Sequence, residues 1–276
     1  MTTLPAQSAI RNPQSAFDEW WRHPLDVDTA EVQVARAVAL IAGDAALPAL
    51  RWYWAAAPTL ILGVFQPPET VNAAACAAHS IPVVRRRSGG TAVLAGPALL
   101  SCDIALPVGH RLAPPDVTES YRWLGEAWLA TLIGLGVPDL RLVPVAEVRA
   151  DPYRAPRRPP ADGVWSDADL VHRACFASLS PYEVAVGPRK LVGLAQVRRR
   201  GGVLLQVGLP LVWQADLLAA LLAPRPADRD RLAAGLRAHA CGLSDLITPV
   251  PTPATLMAAF EATLAAGWGV RLRPLP

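Results

Sequence analysis

Residues 182–209 read YEVAVGPRKLVGLAQVRRRGGVLLQVGL, three runs rich in Val and Leu cut by two tight-turn signals. The runs Tyr182–Val186, Leu191–Val197 and Val203–Leu209 are expected as strands, joined at Gly187-Pro188 and at Gly201-Gly202. Outward from this block the hydrophobic period switches repeatedly, which marks a mixed α and β protein. Strands are expected over Ala49–Ala55, Thr59–Phe65 and Leu99–Leu106, and helices over Glu31–Ala42, Ala73–His79, Ala215–Ala223 and Ala227–Ala240. An extended Ile81–Arg86, a Ser88-Gly89-Gly90 turn and a strand Thr91–Leu94 together read as a hairpin. Thr118 is expected to cap a helix Glu119–Ile133, along which Leu124, Trp128 and Leu132 recur at helical spacing. Thr252 with Pro253 opens a last helix to about Ala266, before a closing strand Gly269–Arg273. The proline- and arginine-rich stretch Asp151–Asp169 reads as a long mobile loop.

The 276 residues are 52% hydrophobic and 18% charged, a balance that excludes disordered and fibrous classes. The expected organisation is an N-terminal segment 1–27, a catalytic-size domain 28–223, and a small C-terminal helical extension 224–276 packed on it. A net charge of +3 falls short of the dense basic stripe of a nucleic-acid binder. No apolar run approaches the roughly 18–20 residues that span a bilayer, and the first residues lack an apolar core after a basic start. A cytoplasmic protein without membrane or nucleic-acid partners is therefore expected. One detail of the charge count stands out: 25 of the 26 basic residues are arginine, and Lys190 is the one lysine.

Two constellations can carry chemistry. In Arg85-Arg86-Arg87-Ser88-Gly89-Gly90-Thr91-Ala92-Val93, basic side chains adjoin a glycine turn whose exposed N–H groups could meet an anion or an acyl carbonyl. The plain alternative is a surface turn with solvated arginines. In the second, Cys175-Phe176 precedes Tyr182-Glu183-Val184, and Lys190 is followed by Gly193-Leu194-Ala195-Gln196. A thiol takes an acyl group from a thioester as thiolate, and a neighbouring ammonium both favours that form and can hold the acyl carbonyl. The alternative is a small buried cysteine and a surface lysine. Cys76, Cys102 and Cys241 read as packing residues. The five histidines show no metal spacing, so no metal site or cofactor is expected. His172 lies close enough in sequence to Cys175 to be considered as a base.

These residues carry a resemblance. The chain resembles the lipoate–protein ligase A and biotin ligase (BPL/LPL) catalytic superfamily, and within it the LipM-type octanoyltransferases. The family's Arg-Arg-x-Ser/Thr-Gly-Gly-x-Ala-Val turn is met by Arg85, Arg86, Ser88, Gly89, Gly90, Ala92 and Val93. Its Cys-Phe and Tyr-Glu elements are met by Cys175-Phe176 and Tyr182-Glu183. Its Arg-Lys-x-x-Gly-x-Ala-Gln-x-Arg run is met by Arg189, Lys190, Gly193, Ala195, Gln196 and Arg198. Two positions depart from the pattern, Ala95 and Val207, where the family usually carries histidine.

The resemblance implies an α+β fold with a central mixed β-sheet flanked by helices, and no metal or nucleotide. It implies a ping-pong acyl transfer in which Cys175 becomes the octanoyl thioester and Lys190 holds its carbonyl. Arg86, Ser88, Gly89, Gly90, Ala92, Val93, Gly193, Ala195 and Gln196 would line the substrate site. The implied donor is octanoyl-acyl carrier protein. The implied acceptor is a lipoyl domain such as the glycine-cleavage H protein or a dehydrogenase E2. An ATP-dependent lipoate–protein ligase and a non-catalytic lipoyl-domain-binding relative are the alternatives.

Overall fold

The computed structural model describes residues 18–43, 47–150 and 164–275. In chain order the elements begin with β1 (Asp18–Arg22), β2 (Asp26–Asp28), α1 (Ala30–Ala39), β3 (Ala49–Ala55) and β4 (Thr59–Leu62). They continue with α2 (Ala73–Ala78), β5 (Val83–Arg85), β6 (Val93–Ala95), β7 (Leu99–Leu106), α3 (Arg122–Gly134) and β8 (Leu140–Leu142). Then come α4 (Val145–Ala150), α5 (Asp167–Val171), β9 (Val184–Val186), β10 (Arg189–Arg199) and β11 (Gly202–Pro210). The chain closes with α6 (Ala215–Leu222), α7 (Arg229–His239), α8 (Pro253–Trp268) and β12 (Val270–Pro274).

Among the described residues nine strands form one mixed sheet in the order β12-β1-β3-β7-β11-β10-β9-β8, with β2 added beside β3. The tight turn around Gly201 pairs β10 with β11 antiparallel, as the sequence leads one to expect. One face of this sheet packs against α3 and α8 around Trp52, Trp128 and Phe260, all fully buried. Trp52 meets both other rings edge-on, and Trp128 stacks on Phe260 at 4.4 Å, which supplies much of the apolar burial on that side. The α+β class and the flanking helices agree with the sequence reading. Strand β12 hydrogen-bonds in parallel with β1, so residues near the two ends of the described chain close one edge of the sheet together.

The other face is partly covered by α1 and by a second sheet of three strands, ordered β5-β4-β6. Here the sequence reading needs correction. The strands flanking Ser88-Gly89-Gly90 do not pair with each other as a hairpin: β5 runs parallel to β4 on one side, and β6 runs antiparallel to it on the other. The glycine turn therefore crosses over β4, and that crossing brings it to the cleft described below. A second correction concerns the start of α3. The Thr118 side chain makes no cap bond. The Asp116 carboxylate instead accepts from the backbone N–H groups of Thr118 and Glu119, at 2.7 and 3.1 Å. Residues 151–163 of the expected loop lie outside the described residues, and its last residues enter α5, capped by Ser166.

Candidate active site

Cys175 begins a single 3-10 turn, Cys175–Ala177, held from two sides. Its N–H donates to the Ala92 carbonyl at 2.9 Å, and the Ala92 N–H donates to Arg173 O at 3.2 Å, a strap that ties the turn to the segment entering β6. From below, Lys190 Nζ donates to the Cys175 carbonyl at 3.1 Å. A bulge in β10 between Lys190 and Val192 gives the lysine this inward direction. Its ammonium also donates to Glu183 Oε1 at 3.0 Å and lies 2.9 Å from Oε2, so it is committed to that carboxylate and to the Cys175 carbonyl.

Both members of that pair are 1% exposed. Burial pushes the Glu183 carboxyl up from its ordinary value, while Lys190 and the backbone N–H groups of Leu194 and Ser180 pull it back down. Glu183 follows Tyr182, which sits at a φ of 65°, a strained value for a residue other than glycine. The strain is held by Tyr182 N–H to Val143 O at 2.9 Å, by Tyr182 OH to Glu119 at 2.6 Å and by Arg122 over its ring. Glu183 escaped the site residues read from the sequence. The signal was there, since it adjoins the Cys-Phe element in the quoted pattern, but nothing in the sequence paired it with Lys190.

The cation that faces the sulfur is Arg86, not Lys190. Arg86 Nη2 lies 3.7 Å from Cys175 Sγ and is fixed by the carbonyls of Gly89 at 2.8 Å and Thr91 at 3.0 Å. Gly90 makes this contact possible: its φ is +89°, and a Cβ there would stand 2.7 Å from Arg86 Nη2 and 3.1 Å from Cys175 Sγ. Gly63 backs the same turn, with a Cβ there falling 1.8 Å from Gly90 O. Replacing Gly63 by alanine is therefore expected to push the glycine turn onto Cys175, at a cost of about 1–3 kcal/mol, read as a drop in the urea midpoint.

Cys175 opens into a cleft of about 120 Å³ between the large sheet, α1 and the small sheet. Its floor is a ladder of side chains that share one face by the period-2 rule. The row beside the cysteine is Gly193, Gly208, Ser101 and Tyr53; the next is Ala195, Gln206, Asp103 and Arg51; the third is Val197, Leu204, Ala105 and Ala49. The glycines of the first row leave a slot for Phe176, whose ring would lie 3.1 Å from a Cβ at Gly193 and 3.3 Å from one at Gly208. In the second row the buried Arg51 and Asp103 pair at 2.6 Å, and Tyr53 and Gln206 also donate to that carboxylate. Val34, Ala37 and Val38 of α1, Ile61 of β4, and Val93 and Ala95 of β6 complete an otherwise mainly apolar wall. The buried Ser88 hydroxyl also lines the cleft and has no hydrogen-bond partner among the described residues.

Of the residues singled out in the sequence, Cys175, Arg86, Ser88, Val93, Gly193 and Ala195 thus meet at the cleft. Gly89 and Gly90 form its rim, and Ala92 contributes the backbone strap. Gln196 lies elsewhere: alternation turns it to the other face of β10, where it donates to Val117 O at 2.7 Å and accepts from Arg198. His172 lines a separate groove with Leu179 and His239. Both positions that depart from the family pattern border the cleft: Ala95 is on its wall, and Val207, between Gln206 and Gly208 on the floor, also belongs to the helix-side core. Burial raises the thiols of Cys76, Cys102 and Cys241, the last to about 11, which fits packing roles.

Comparison with known proteins agrees with this fold. A family model for the lipoyl protein ligase A/B catalytic domain matches residues 34–265. The octanoyltransferase LipM of Kyrpidia tusciae is 34% identical over 229 residues, covering 82% of this chain and 78% of that protein. That of an Exiguobacterium species is 30% identical over 229 residues, covering 83% and 78%. In three dimensions the chain superposes on a bipartite lipoate protein ligase from Thermoplasma acidophilum with a TM-score of 0.70 at 19% identity, covering 94% of this chain and 88% of that one. The fold, the thiol at the head of the cleft and the matched span lead to one assignment: the chain belongs to the lipoyl protein ligase A/B catalytic-domain family and is an acyltransferase of the lipoate-ligase kind.

Proposed function

We propose that the protein moves an octanoyl group from octanoyl-acyl carrier protein to a lysine of a lipoyl domain, of the glycine-cleavage H protein or dehydrogenase E2 type, in the cytoplasm. The observation that carries this reading is a half-buried cysteine at the head of a mainly apolar cleft, beside a guanidinium. The relatives named as octanoyltransferases support the choice of acyl group. In the first half-reaction Cys175 Sγ, as thiolate, attacks the donor thioester carbonyl. The donor's thiolate leaves and takes up a proton, and the octanoyl group stays on Cys175. In the second, the neutral amine of the acceptor lysine attacks that thioester. The Cys175 thiolate leaves, the amine nitrogen gives up a proton, and an amide results.

Arg86 supplies the charge partner of the sulfur in both halves, and the unpaired Ser88 hydroxyl is placed to donate to the acyl carbonyl. Lys190, buried and committed to Glu183 and to the Cys175 carbonyl, acts through that carbonyl and is a positioning residue in this reading rather than a direct ligand of the thioester. The test mixes the protein with octanoyl-acyl carrier protein and a lipoyl domain, without ATP. An octanoylated domain is the expected product. Labelling that needs ATP and a free fatty acid, and that survives Cys175→Ser, would instead establish an ATP-dependent ligase.

The third floor row sets the acyl length. At about 3.3–3.4 Å per residue, Val197 and Leu204 lie about 13 Å along the strands from the Gly193–Gly208 row, where they meet Ala37 of α1 in a packed apolar cluster. Leu204→Ala opens that end. The ratio of dodecanoyl to octanoyl transfer is expected to rise about tenfold in competition assays with mixed acyl donors.

A further inference from the structure

Phe65 is 90% exposed, the one Phe, Tyr or Trp side chain among the described residues that stands out in solvent. Single exposed aliphatic residues are commonplace, but a protruding phenylalanine on a rigid turn is not. The turn is rigid because one nitrogen of Arg85, Nη1, reaches three of its carbonyls, those of Gly63 at 2.9 Å, Val64 at 3.3 Å and Gln66 at 2.6 Å. Gln66 is anchored further by its side-chain amide, which donates to Arg173 O at 3.0 Å. The backbone that carries Phe65 is thus held in one place, so little backbone ordering is left to do on contact.

That place is the rim of the cleft. The Val64 N–H donates to Ser88 O at 3.1 Å, and Gly63 lies against Gly90, which lies against Cys175 Sγ. On the same rim Arg87 is exposed and, among the described residues, has no hydrogen bond or ion pair, although its neighbours Arg85 and Arg86 are both consumed by backbone carbonyls. An uncommitted guanidinium on the same rim as an exposed aromatic ring is the composition of a protein-binding hot spot, suited to a partner that brings an apolar side chain and a carboxylate.

We propose that Phe65 and Arg87 form the docking surface for the acceptor domain, the protein that carries the target lysine. This rests on the acyl-transfer reading above. The choice between acceptor and donor follows from reach. A lysine amine stands only four methylenes from its backbone, so the body of the acceptor must touch the rim around Cys175 for the amine to meet the thioester. A donor that presents its acyl group on a long flexible arm has no such need. Phe65 anchors an apolar side chain of the acceptor, and Arg87 pairs with an acidic one.

The experiment separates the half-reactions. The protein is first charged with octanoyl-N-acetylcysteamine, a small donor, and the octanoyl-enzyme is then discharged by a lipoyl domain or by hydroxylamine. For Phe65→Ser and for Arg87→Glu, the lipoyl-domain concentration giving half-maximal discharge is expected to rise about tenfold; for Phe65→Ser, which lies outside the cleft lining, charging and hydroxylamine discharge stay unchanged. The Arg87 effect is expected to shrink as salt is raised. Unchanged half-saturation in both variants overturns the docking assignment. So does an effect confined to charging by octanoyl-acyl carrier protein, which would give the surface to the donor. If the unmodified protein takes no acyl group from either donor, the acyl-transfer reading fails, and the docking assignment falls with it.

Discussion

Lys190→Met is expected to lower the stability of the fold by about 3–5 kcal/mol, because it leaves the buried Glu183 carboxylate without its counterion. The remaining partners of Glu183 are the N–H groups of Ser180 and Leu194, two neutral donors for a charge that no longer faces an ammonium. The sign of the pH dependence follows. Glu183 is already raised above its ordinary value of 4.5, mainly by burial, and removal of Lys190 takes away the strongest influence opposing that rise. A carboxyl whose folded value lies above its unfolded one binds its proton more tightly in the native state. Its contribution is fully present below pH 4.5 and is lost as pH climbs through the folded value. Urea denaturation of Lys190→Met between pH 4 and pH 8 should therefore show stability falling with rising pH more steeply than in the unmodified protein. The double variant Lys190→Met, Glu183→Leu should recover much of the loss and flatten the profile, since an apolar pair has no charge to desolvate. Transfer should stay low even in the recovered protein, because a thioether in place of the ammonium has no N–H to donate to the Cys175 carbonyl.

Cys175→Ser is expected to reduce transfer to a lipoyl domain on the order of 10⁴-fold or more while leaving the thermal midpoint within a degree or two. The backbone bonds that fix the turn, N–H to Ala92 O and carbonyl from Lys190, do not involve the sulfur, so the fold has no reason to change. The chemistry does. A serine hydroxyl needs an adjacent base to become a nucleophile; among the described residues no histidine lines the cleft, and Asp103, in the second floor row, is committed to Arg51. The two variants thus separate the roles: one removes the reacting atom and spares the fold, the other removes the support beneath it. Measured rates and melting curves on both make that separation visible.

Most of the framework was legible in the sequence because local rules and tertiary demands agreed there. Strands β3 and β7 run from Ala49 to Ala55 and from Leu99 to Leu106, the bounds their apolar runs predict. Helix α8 starts where Thr252 and Pro253 place it, with the Thr252 hydroxyl accepting from Thr255 N–H. The failures share a cause. A strand, a glycine turn and a strand usually make a hairpin, but β4 inserts between β5 and β6, and that pairing depends on residues more than twenty positions upstream. The lone lysine draws attention to Lys190. Its proximity in sequence to Cys175 suggested a direct role at the thioester, while the fold gives its ammonium to Glu183 and places Arg86, 89 residues away from Cys175 in sequence, against the sulfur. Gln196 shows the period-2 rule at work: two residues after Leu194 and one after the cleft-facing Ala195, it cannot share that wall.

In this mechanism Cys175 carries the acyl group between donor and acceptor, and the intact mass of the protein reads that step without an intermediary. The protein is exposed to octanoyl-acyl carrier protein and weighed, and a lipoyl domain is then added. One octanoyl adduct is expected, mapped to Cys175 and labile to hydroxylamine, that disappears as the lipoyl domain gains the same mass. Octanoylation of the lipoyl domain at an undiminished rate with no adduct on the protein, or with Cys175→Ser in its place, would contradict it.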